Sequence, residues 1–249
     1  MKPIDQPKDL QAYYKDQGVV DRYMHRRTTQ PLNGLLHRRQ VAFLNQVFAA
    51  RAPRAVLEIA CGPGRITTAT RGVGFGVAVD ASPAMLATAR QRMQGMPGDW
   101  SFLRSDAFVL PFRDASFDLV YTFRFVRHFQ LPERQRLYSE IRRVLRRNGT
   151  FVVDALNYDV VHPARLRKGL DHYPIYDVLF REDELKDELE RAGFHLVALE
   201  GILKHFPVQQ RLNRLRRLHL SPVARILIDG LERLPGNQVN TWVALAEKV

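Results

Sequence analysis

Short apolar segments alternate along the chain with longer segments of helical periodicity, and this alternation constrains the fold more than any other feature. The apolar segments, which predict strands, lie at residues 55–60, 76–79, 100–103, 117–122, 151–155, 194–199 and 241–246. One predicted helix precedes the first strand, at residues 32–50, and the others lie between strands, at residues 84–93, 132–146 and 181–192. Such alternation is typical of a mostly parallel sheet with helices on both faces. The chain is therefore predicted to form a doubly wound α/β fold with a seven-stranded sheet.

Turn residues indicate where several of these elements begin and end. The glycine turn at residues 61–64 directly follows the first predicted strand, and we expect a helix to begin near Arg65. Ser82 precedes a proline, which predicts a helix start with Ser82 as its N-cap. The Asn-Gly pair at residues 148–149 is expected to end the third predicted helix.

The segment at residues 201–237 has a different pattern and predicts a helical insertion before the last strand. Apolar residues at helical spacing are interleaved there with arginines: Val223, Ile226, Leu227, Leu231 and Leu234 with Arg211, Arg214, Arg216, Arg217, Arg225 and Arg233. The net charge of +12 favours anionic partners for the chain as a whole. Three interpretations stay open: a helix with one face on the core and one in solvent, a contact with an anionic membrane, or a contact with nucleic acid.

Composition bounds the protein class. The 249 residues fit one domain, divided into an N-terminal helical segment at 1–50, a core at 51–200, the insertion at 201–237 and a final strand at 238–249. No apolar run approaches the roughly 20 residues of a membrane span, and the first ten residues lack the apolar stretch of a secretory signal. A cytoplasmic location is expected. Cys61 is the only cysteine, which excludes an internal disulfide, and no metal site is predicted.

Polar and glycine residues follow the predicted strands at the positions where ligands bind in doubly wound sheets. The glycine turn after the first strand lets a ligand lie against the backbone, and Asp80 ends the second strand, where a carboxylate can bind ribose hydroxyls. Asp106 follows the third strand and residues 123–129 follow the fourth. Because the carboxyl ends of parallel strands share one edge, we expect these residues to form one site.

Several motifs, in order, resemble those of the class I S-adenosylmethionine-dependent methyltransferases. The first is VLEIACGPG at residues 56–64, followed by VDASPAML at 79–86; SDA, LPF and SFD at 105–107, 110–112 and 116–118 form the third. The resemblance extends to IRRVLRRNG at 141–149 and AGF at 192–194, and it is nearest to the ubiquinone and menaquinone biosynthesis methyltransferases. The sequence departs from the family pattern at Ala60, where glycine is usual, and at residues 146–148.

This resemblance implies a Rossmann-like methyltransferase fold with S-adenosyl-L-methionine as cofactor. It implies that Glu58 approaches the methionine amino group and that Asp80 binds the ribose hydroxyls. The full set of cofactor-binding residues that it implies is Glu58, Ala60, Cys61, Gly62, Gly64, Asp80, Ala81, Met85, Asp106, Ala107, Phe123 and Arg124. In similar enzymes a leading helical segment covers the pocket, so Tyr14, Tyr23 and Arg27 are candidates for contact with cofactor or acceptor.

The methyl acceptor is not specified by these motifs. His128 is the candidate general base for an acceptor with an ionisable hydroxyl or acidic carbon, and a purely structural role for it stays open. The sequence TFRF at residues 122–125 stands where many enzymes that methylate base amino groups carry an NPPY-like tetrad. We therefore predict a small-molecule or lipid-like acceptor, with peripheral contact to an anionic membrane as a further expectation.

Two alternatives have weaker support. An RNA methyltransferase, or a nucleic-acid-binding protein without catalysis, is favoured by the arginine clusters alone, since the aromatic stacking pattern of common RNA modules is missing. A nicotinamide-dependent oxidoreductase is disfavoured because the third glycine of the dinucleotide fingerprint is absent after Gly64.

Overall fold

The computed structural model describes residues 29–96, 98–169, 172–173 and 175–249. The strands in these residues are β1 Ala55–Ile59, β2 Phe75–Asp80, β3 Trp100–Arg104, β4 Phe117–Thr122, β5 Leu145–Asn157, β6 Leu179–Phe180, β7 Phe194–Ile202 and β8 Thr241–Lys248. The α-helices are α1 Pro31–Arg51, α2 Pro83–Met93, α3 Leu131–Val144, α4 Tyr158–Lys168, α5 Glu182–Arg191, α6 Phe206–Leu212 and α7 Ser221–Glu232. The seven predicted strands and the four predicted helices with stated bounds therefore occur, with shifts at their ends; the largest is at β5, which begins at Leu145 and not at residue 151.

The strands form one sheet in the order β3-β2-β1-β4-β5-β8-β7, and the two-residue strand β6 pairs with β5 beside this path. β3, β2, β1, β4 and β5 are parallel to one another, whereas β8 is antiparallel to both β5 and β7. The order reverses between β1 and β4, which makes their carboxyl ends the topological switch point. The predicted doubly wound, mostly parallel sheet of seven strands is confirmed, with β6 as an addition.

Apolar side chains cover both faces of the sheet. One core contains α3 and α5 residues, including Leu137, Ile141 and Leu189, packed on β4, β5 and β1. The other contains α1 and α7 residues, including Leu44 and Ile228, packed on the opposite sheet face. The helices on the two faces and the sheet between them form three layers, in which the central strands are buried on both sides. Such burial is expected for strands whose residues are almost all apolar.

The expectation of a helix beginning near Arg65 is wrong. Residues 62–66 form turns, and only the 3₁₀ segment Thr67–Ala69 follows. The hydroxyl of Thr68 donates to the Gly64 carbonyl and that of Thr70 to the Thr67 carbonyl. These local side-chain bonds satisfy the backbone without a continued helix, a common effect of threonine.

The expectation that residues 148–149 end the third predicted helix is also wrong. The helix ends at Val144, and the following residue Leu145 already pairs with Phe117 of β4. The amides of Ala115 and Ser116 donate to the carbonyls of Arg143 and Val144, so a neighbouring loop satisfies the last turn of the helix. Asn148 instead has a φ of 58° within the residues assigned to β5.

The predicted insertion before the last strand is confirmed. It consists of α6, the 3₁₀ segment Asn213–Leu218 and α7, and it packs against α1. No helix in the described part of the chain combines the length and apolar character of a membrane span.

Candidate cofactor and acceptor site

The turn after β1 runs through three residues with left-handed backbone conformations. Ala60, Gly62 and Gly64 have φ values of 55°, 55° and 70°. A Cβ atom on Gly62 would contact nothing within 4 Å, whereas one on Gly64 would lie 3.1 Å from the Ala89 Cβ of α2. Gly64 thus permits the close approach of α2, and the space beside Gly62 is open. Ala60 adopts a conformation that favours glycine, which gives the departure from the family pattern a local energetic cost.

Asp80 connects this turn to the start of α2. Its Oδ2 accepts a hydrogen bond from the Gly62 amide at 2.8 Å, and its Oδ1 accepts one from the Ser82 amide at 2.8 Å. Ser82 in turn caps α2 by accepting from the Met85 amide at 3.3 Å, as predicted. Burial raises the pKa of Asp80, and the two backbone hydrogen bonds partly offset that rise. The carboxylate therefore has a defined orientation at the carboxyl end of β2.

Glu58 lies at the end of β1 and is almost completely buried. Its Oε2 accepts hydrogen bonds from the Thr67 hydroxyl at 2.5 Å and from the Tyr121 hydroxyl at 2.8 Å. Burial raises the pKa of Glu58 to about 7, although both hydroxyls and Arg65 lower it. Neither Thr67 nor Tyr121 was predicted from the sequence. The position of a tyrosine near the end of a central strand is the one sequence feature that could have indicated this partner of Glu58.

The loop after β3 joins the same edge of the sheet. The Ser105 amide donates to the Asp80 carbonyl at 3.2 Å, and Asp106 is exposed with its Oδ1 accepting from the Phe108 amide at 2.9 Å. Ala107, which follows Asp106, and Met85 of α2 are both buried. Residues predicted after β1, β2 and β3 are thus linked by hydrogen bonds at neighbouring strand ends.

Arg124, after β4, is held by a buried carboxylate. Its φ is 63°, and its amide donates to Asp154 Oδ1 at 2.5 Å. Asp154 lies on β5, and its Oδ2 accepts from Gln40 Nε2 of α1 at 2.9 Å. A non-glycine residue in this conformation persists when its surroundings hold it. Asp154 and Gln40, neither of them predicted, supply that constraint.

The same network reaches the turn after β1. Gln40 Oε1 accepts from Arg65 Nη2 at 2.9 Å, and Arg65 Nη1 lies 3.0 Å from His37 Nδ1. Burial and the nearby Arg65, Arg92 and Arg38 lower the pKa of His37 to about 4, so the ring is neutral at pH 7 and accepts from Arg65. The signal for this network was a glutamine on the apolar stripe of α1, between Leu36 and Leu44.

His128 contacts an acidic partner that the sequence did not reveal. Its Nδ1 lies 3.0 Å from the Tyr176 carbonyl oxygen and 3.1 Å from Asp177 Oδ1. Burial raises the pKa of Asp177, but Arg127, His128 and Arg165 hold it well below its usual range. Because both neighbours of Nδ1 are hydrogen-bond acceptors, Nδ1 is the ring nitrogen that donates to them.

Aromatic rings and a cavity also lie near the carboxyl ends of the central strands. Phe129 packs edge-on against Phe108 and Phe125, with ring centroids 5.1 and 4.8 Å apart. A cavity of about 480 Å³ opens at the end of β5. Its lining includes Asn157, Asp159, Glu182, Lys204 and Trp242. Tyr14, Tyr23 and Arg27 lie outside the described residues.

Comparison with known proteins places this geometry in context. Residues 56–149 match the family model described as a methyltransferase domain. Demethylmenaquinone methyltransferase of Thermus thermophilus is 33% identical over 41% of this chain and 47% of its own length. A sterol 24-C-methyltransferase of Gibberella zeae is 28% identical over 59% of this chain and 41% of its own length. The chain thus spans about half the length of the curated relatives it matches.

A solved structure shares the fold. Magnesium protoporphyrin IX methyltransferase from Synechocystis, crystallised with bound S-adenosylhomocysteine, superposes with a TM-score of 0.68 at 13% sequence identity. The superposition covers 96% of this chain and 98% of that chain. At this identity the similarity concerns the fold.

Proposed function

We propose that this chain, whose residues 56–149 match a methyltransferase domain, is a class I S-adenosylmethionine-dependent methyltransferase that transfers the methyl group to a small-molecule or lipid-like acceptor. The observation that carries the proposal is the position of Asp80, whose carboxylate orients both the glycine turn and the start of α2. The similarity to enzymes named for sterol and menaquinone substrates supports the acceptor class.

The residues at the ends of β1 and β2 fit this cofactor. A carboxylate offers about four acceptor positions, and the two backbone amides occupy two of those on Asp80. The remaining positions suit the two ribose hydroxyls. Open space beside Gly62 lets the ligand lie against the backbone of the turn. Glu58, buried at the end of β1, offers carboxyl oxygens as hydrogen-bond acceptors for the amino group of the methionine part.

Other predicted residues complete the proposed binding surface. The backbone of Ala60 and Cys61 faces the methionine part, while Ala81 and Met85 pack on the adenine. Asp106 and Ala107 recognise the adenine edge, and Phe123 and Arg124 close the pocket. Gly64 contributes indirectly, because its packing against α2 sets the shape of the turn.

When bound, S-adenosylmethionine supplies a methyl group already activated by its sulfonium charge. The task left to the protein is to hold the acceptor in line, which supplies a large share of the acceleration in group transfer. The Asp154 carboxylate fixes the backbone of Arg124 beside this position. The rings of Phe125 and Phe129 offer an apolar surface there, and an extended acceptor reaches toward the cavity at the end of β5.

His128 is the proposed general base. Asp177 and the Tyr176 carbonyl hold the proton on Nδ1, which leaves Nε2 as the atom that accepts a proton from the acceptor hydroxyl or acidic carbon. Asp177 is a positioning residue in this arrangement, since it fixes the tautomer and ring orientation.

Transfer of tritium from S-adenosyl-[methyl-³H]methionine tests the proposal. The purified chain is incubated with panels of demethylated quinones, sterols and phenols and, separately, with total RNA, and the label is counted in the organic and RNA fractions. We expect label in the organic fraction with the wild type and, at a cofactor concentration that does not saturate the variant, much less label with Asp80→Ala. Label confined to RNA, or no transfer to any acceptor by a chain that binds the cofactor, contradicts the proposed acceptor class.

A further inference from the structure

α7 has apolar side chains on its outward face as well as on its inward face. Ala224, Ile228 and Glu232 are buried and recur every four residues, so they define the face packed on the core. Val223, Ile226 and Leu227 lie on the opposite face and are exposed, with Ile226 exposed to 71%. A surface helix ordinarily places polar residues there, and a helix that is apolar on all sides is ordinarily buried.

Neighbouring residues extend this apolar face. Leu218, exposed to 66%, and Leu220 lie in the segment that leads into α7, and Leu234 follows the helix. The 3₁₀ segment Asn213–Leu218 packs directly against α7. We call the exposed residues Leu218, Leu220, Val223, Ile226, Leu227 and Leu234 the α7 patch.

Six exposed arginines lie in the same chain segment as the α7 patch. They are Arg211, Arg214, Arg216, Arg217, Arg225 and Arg233. The segment has two carboxylates, and both have other partners. Asp229 pairs with Arg38 of α1 at 2.6 Å, and Glu232 is buried and accepts from the amides of Leu203 and Lys204. The positive charge around the patch is therefore not balanced within its own segment.

We propose that the α7 patch docks on the surface of a bilayer that contains anionic lipids. The apolar side chains would enter the boundary between headgroups and acyl chains, while the arginines contact the anionic headgroups, as in interfacial amphipathic helices. This pairing of apolar and cationic groups matches a lipid surface better than nucleic acid, which offers phosphates but no apolar layer for Ile226 and Leu227.

The inference does not depend on the proposed reaction, because docking is measured without cofactor or acceptor. If both the methyl transfer and the docking are correct, docking brings the enzyme to the bilayer, where a lipid-like acceptor resides. Failure of vesicle binding leaves the methyl transfer intact, and failure of methyl transfer leaves vesicle binding intact.

Vesicle flotation with the full chain tests the proposal. The vesicles contain phosphatidylcholine alone or phosphatidylcholine with phosphatidylglycerol. The variant I226E/L227E replaces two exposed apolar side chains of the patch, and L131E replaces an apolar side chain at the start of α3 that is exposed to 47%. R216Q/R217Q removes two charges beside the patch, and R113Q/R147Q removes two exposed charges elsewhere. Thermal unfolding of each variant confirms that it is folded.

We expect the wild type, L131E and R113Q/R147Q to float with the anionic vesicles only. I226E/L227E should lose flotation, and R216Q/R217Q should bind at least about tenfold more weakly, since each arginine near an anionic surface contributes severalfold. Absence of flotation in the wild type, or equal flotation of I226E/L227E, overturns the proposal. A wild type that is dimeric by light scattering and does not float, with monomeric I226E/L227E, assigns the patch to a second copy instead.

Discussion

Asp80 Oδ2 and the Gly62 amide nitrogen lie 2.8 Å apart, in a hydrogen bond that joins the carboxyl ends of two adjacent parallel strands. The second oxygen of the same carboxylate accepts from the Ser82 amide at the same distance. A single side chain thus fixes the position of the turn after β1 relative to the start of α2. Both elements lie at the carboxyl ends of the parallel strands, the edge at which a doubly wound sheet binds its ligand.

Replacement of Asp80 should therefore impair cofactor binding. We predict that Asp80→Ala weakens S-adenosylhomocysteine binding at least about tenfold, the scale of lost hydrogen bonds to a charged group. Asp118→Ala is the matched control, because Asp118 Oδ2 also accepts from two backbone amides, those of Arg54 and Ala55, at the opposite end of β1. Calorimetry should show unchanged affinity for the control. Equal losses in both variants would indicate a general structural effect and remove Asp80 from the site.

The buried carboxyl of Glu58 should make stability depend on pH. Its pKa is raised to about 7 in the folded chain, from an ordinary value of 4.5. Between these values the folded chain retains a proton that the unfolded chain has released, so the free energy of unfolding falls as the pH rises through this window. Glu58→Gln stays neutral and retains an oxygen that accepts from Thr67 and Tyr121.

Thermal unfolding between pH 4 and pH 8, without ligand, measures this effect. We expect the melting temperature of the wild type to fall relative to Glu58→Gln as the pH rises, with most of the change complete by about pH 8. Glu190→Gln, at an exposed position of α5, should follow the wild type. A constant difference between Glu58→Gln and the wild type at every pH would show that Glu58 titrates normally.

Gln40 should influence both stability and the cofactor site. It is fully buried and bridges Asp154 and Arg65, two residues beside the proposed pocket. Gln40→Ala leaves both partners without this bond, at a cost of about 2 kcal/mol or more in the free energy of unfolding. Gln209 is the control, since it is equally buried and binds Glu232, away from the strand ends.

Urea unfolding and calorimetry together separate the two glutamines. Both alanine variants should be destabilised, but only Gln40→Ala should also bind S-adenosylhomocysteine more weakly. If Gln40→Ala is destabilised with unchanged affinity, the network supports the fold and not the pocket.

The left-handed conformation of Ala60 predicts a stabilising substitution. An alanine in this conformation costs about 1–2 kcal/mol, and glycine adds about 0.5–1 kcal/mol of unfolded-state entropy, so Ala60→Gly should gain about 0.5–1 kcal/mol. Ala115→Gly, at a φ of 53° in the loop before β4, should gain a similar amount and serves as the comparison. A lower melting temperature for Ala60→Gly alone would show that the methyl group of Ala60 makes contacts that outweigh the strain.

His128 should act on turnover rather than on cofactor binding. We predict that His128→Phe lowers kcat by about 10²-fold or more for an acceptor that must lose a proton, with an unchanged dissociation constant for S-adenosylmethionine. His195→Phe, at an exposed position of β7, is the control. An unaltered kcat would assign His128 a structural role.

The sequence predicted the parallel strands well because each is a short apolar run between turn residues. It also predicted the N-cap at Ser82 and the insertion before β8, since both rest on local patterns. The helix expected near Arg65 was wrong because threonine side chains satisfy that backbone locally. The division of the chain into functional parts and the roles of the site residues stay predictions.

Residues that act through distant contacts could not be predicted. In the sequence, Asp154 is one polar residue within β5, and its hydrogen bonds to Gln40 and Arg124 span 114 and 30 positions of the chain. Asp177 likewise approaches His128 from a loop 49 positions away. Pairings of this kind depend on the order of the strands in the sheet, which local periodicity does not encode.

Calorimetric titration of the purified chain with S-adenosylmethionine and S-adenosylhomocysteine, with a nicotinamide dinucleotide as control, tests the central claim most directly. The account predicts saturable binding of both sulfur ligands with one site per chain and no heat from the dinucleotide. Absence of binding to either sulfur ligand, or binding of the dinucleotide at the same site, would contradict it.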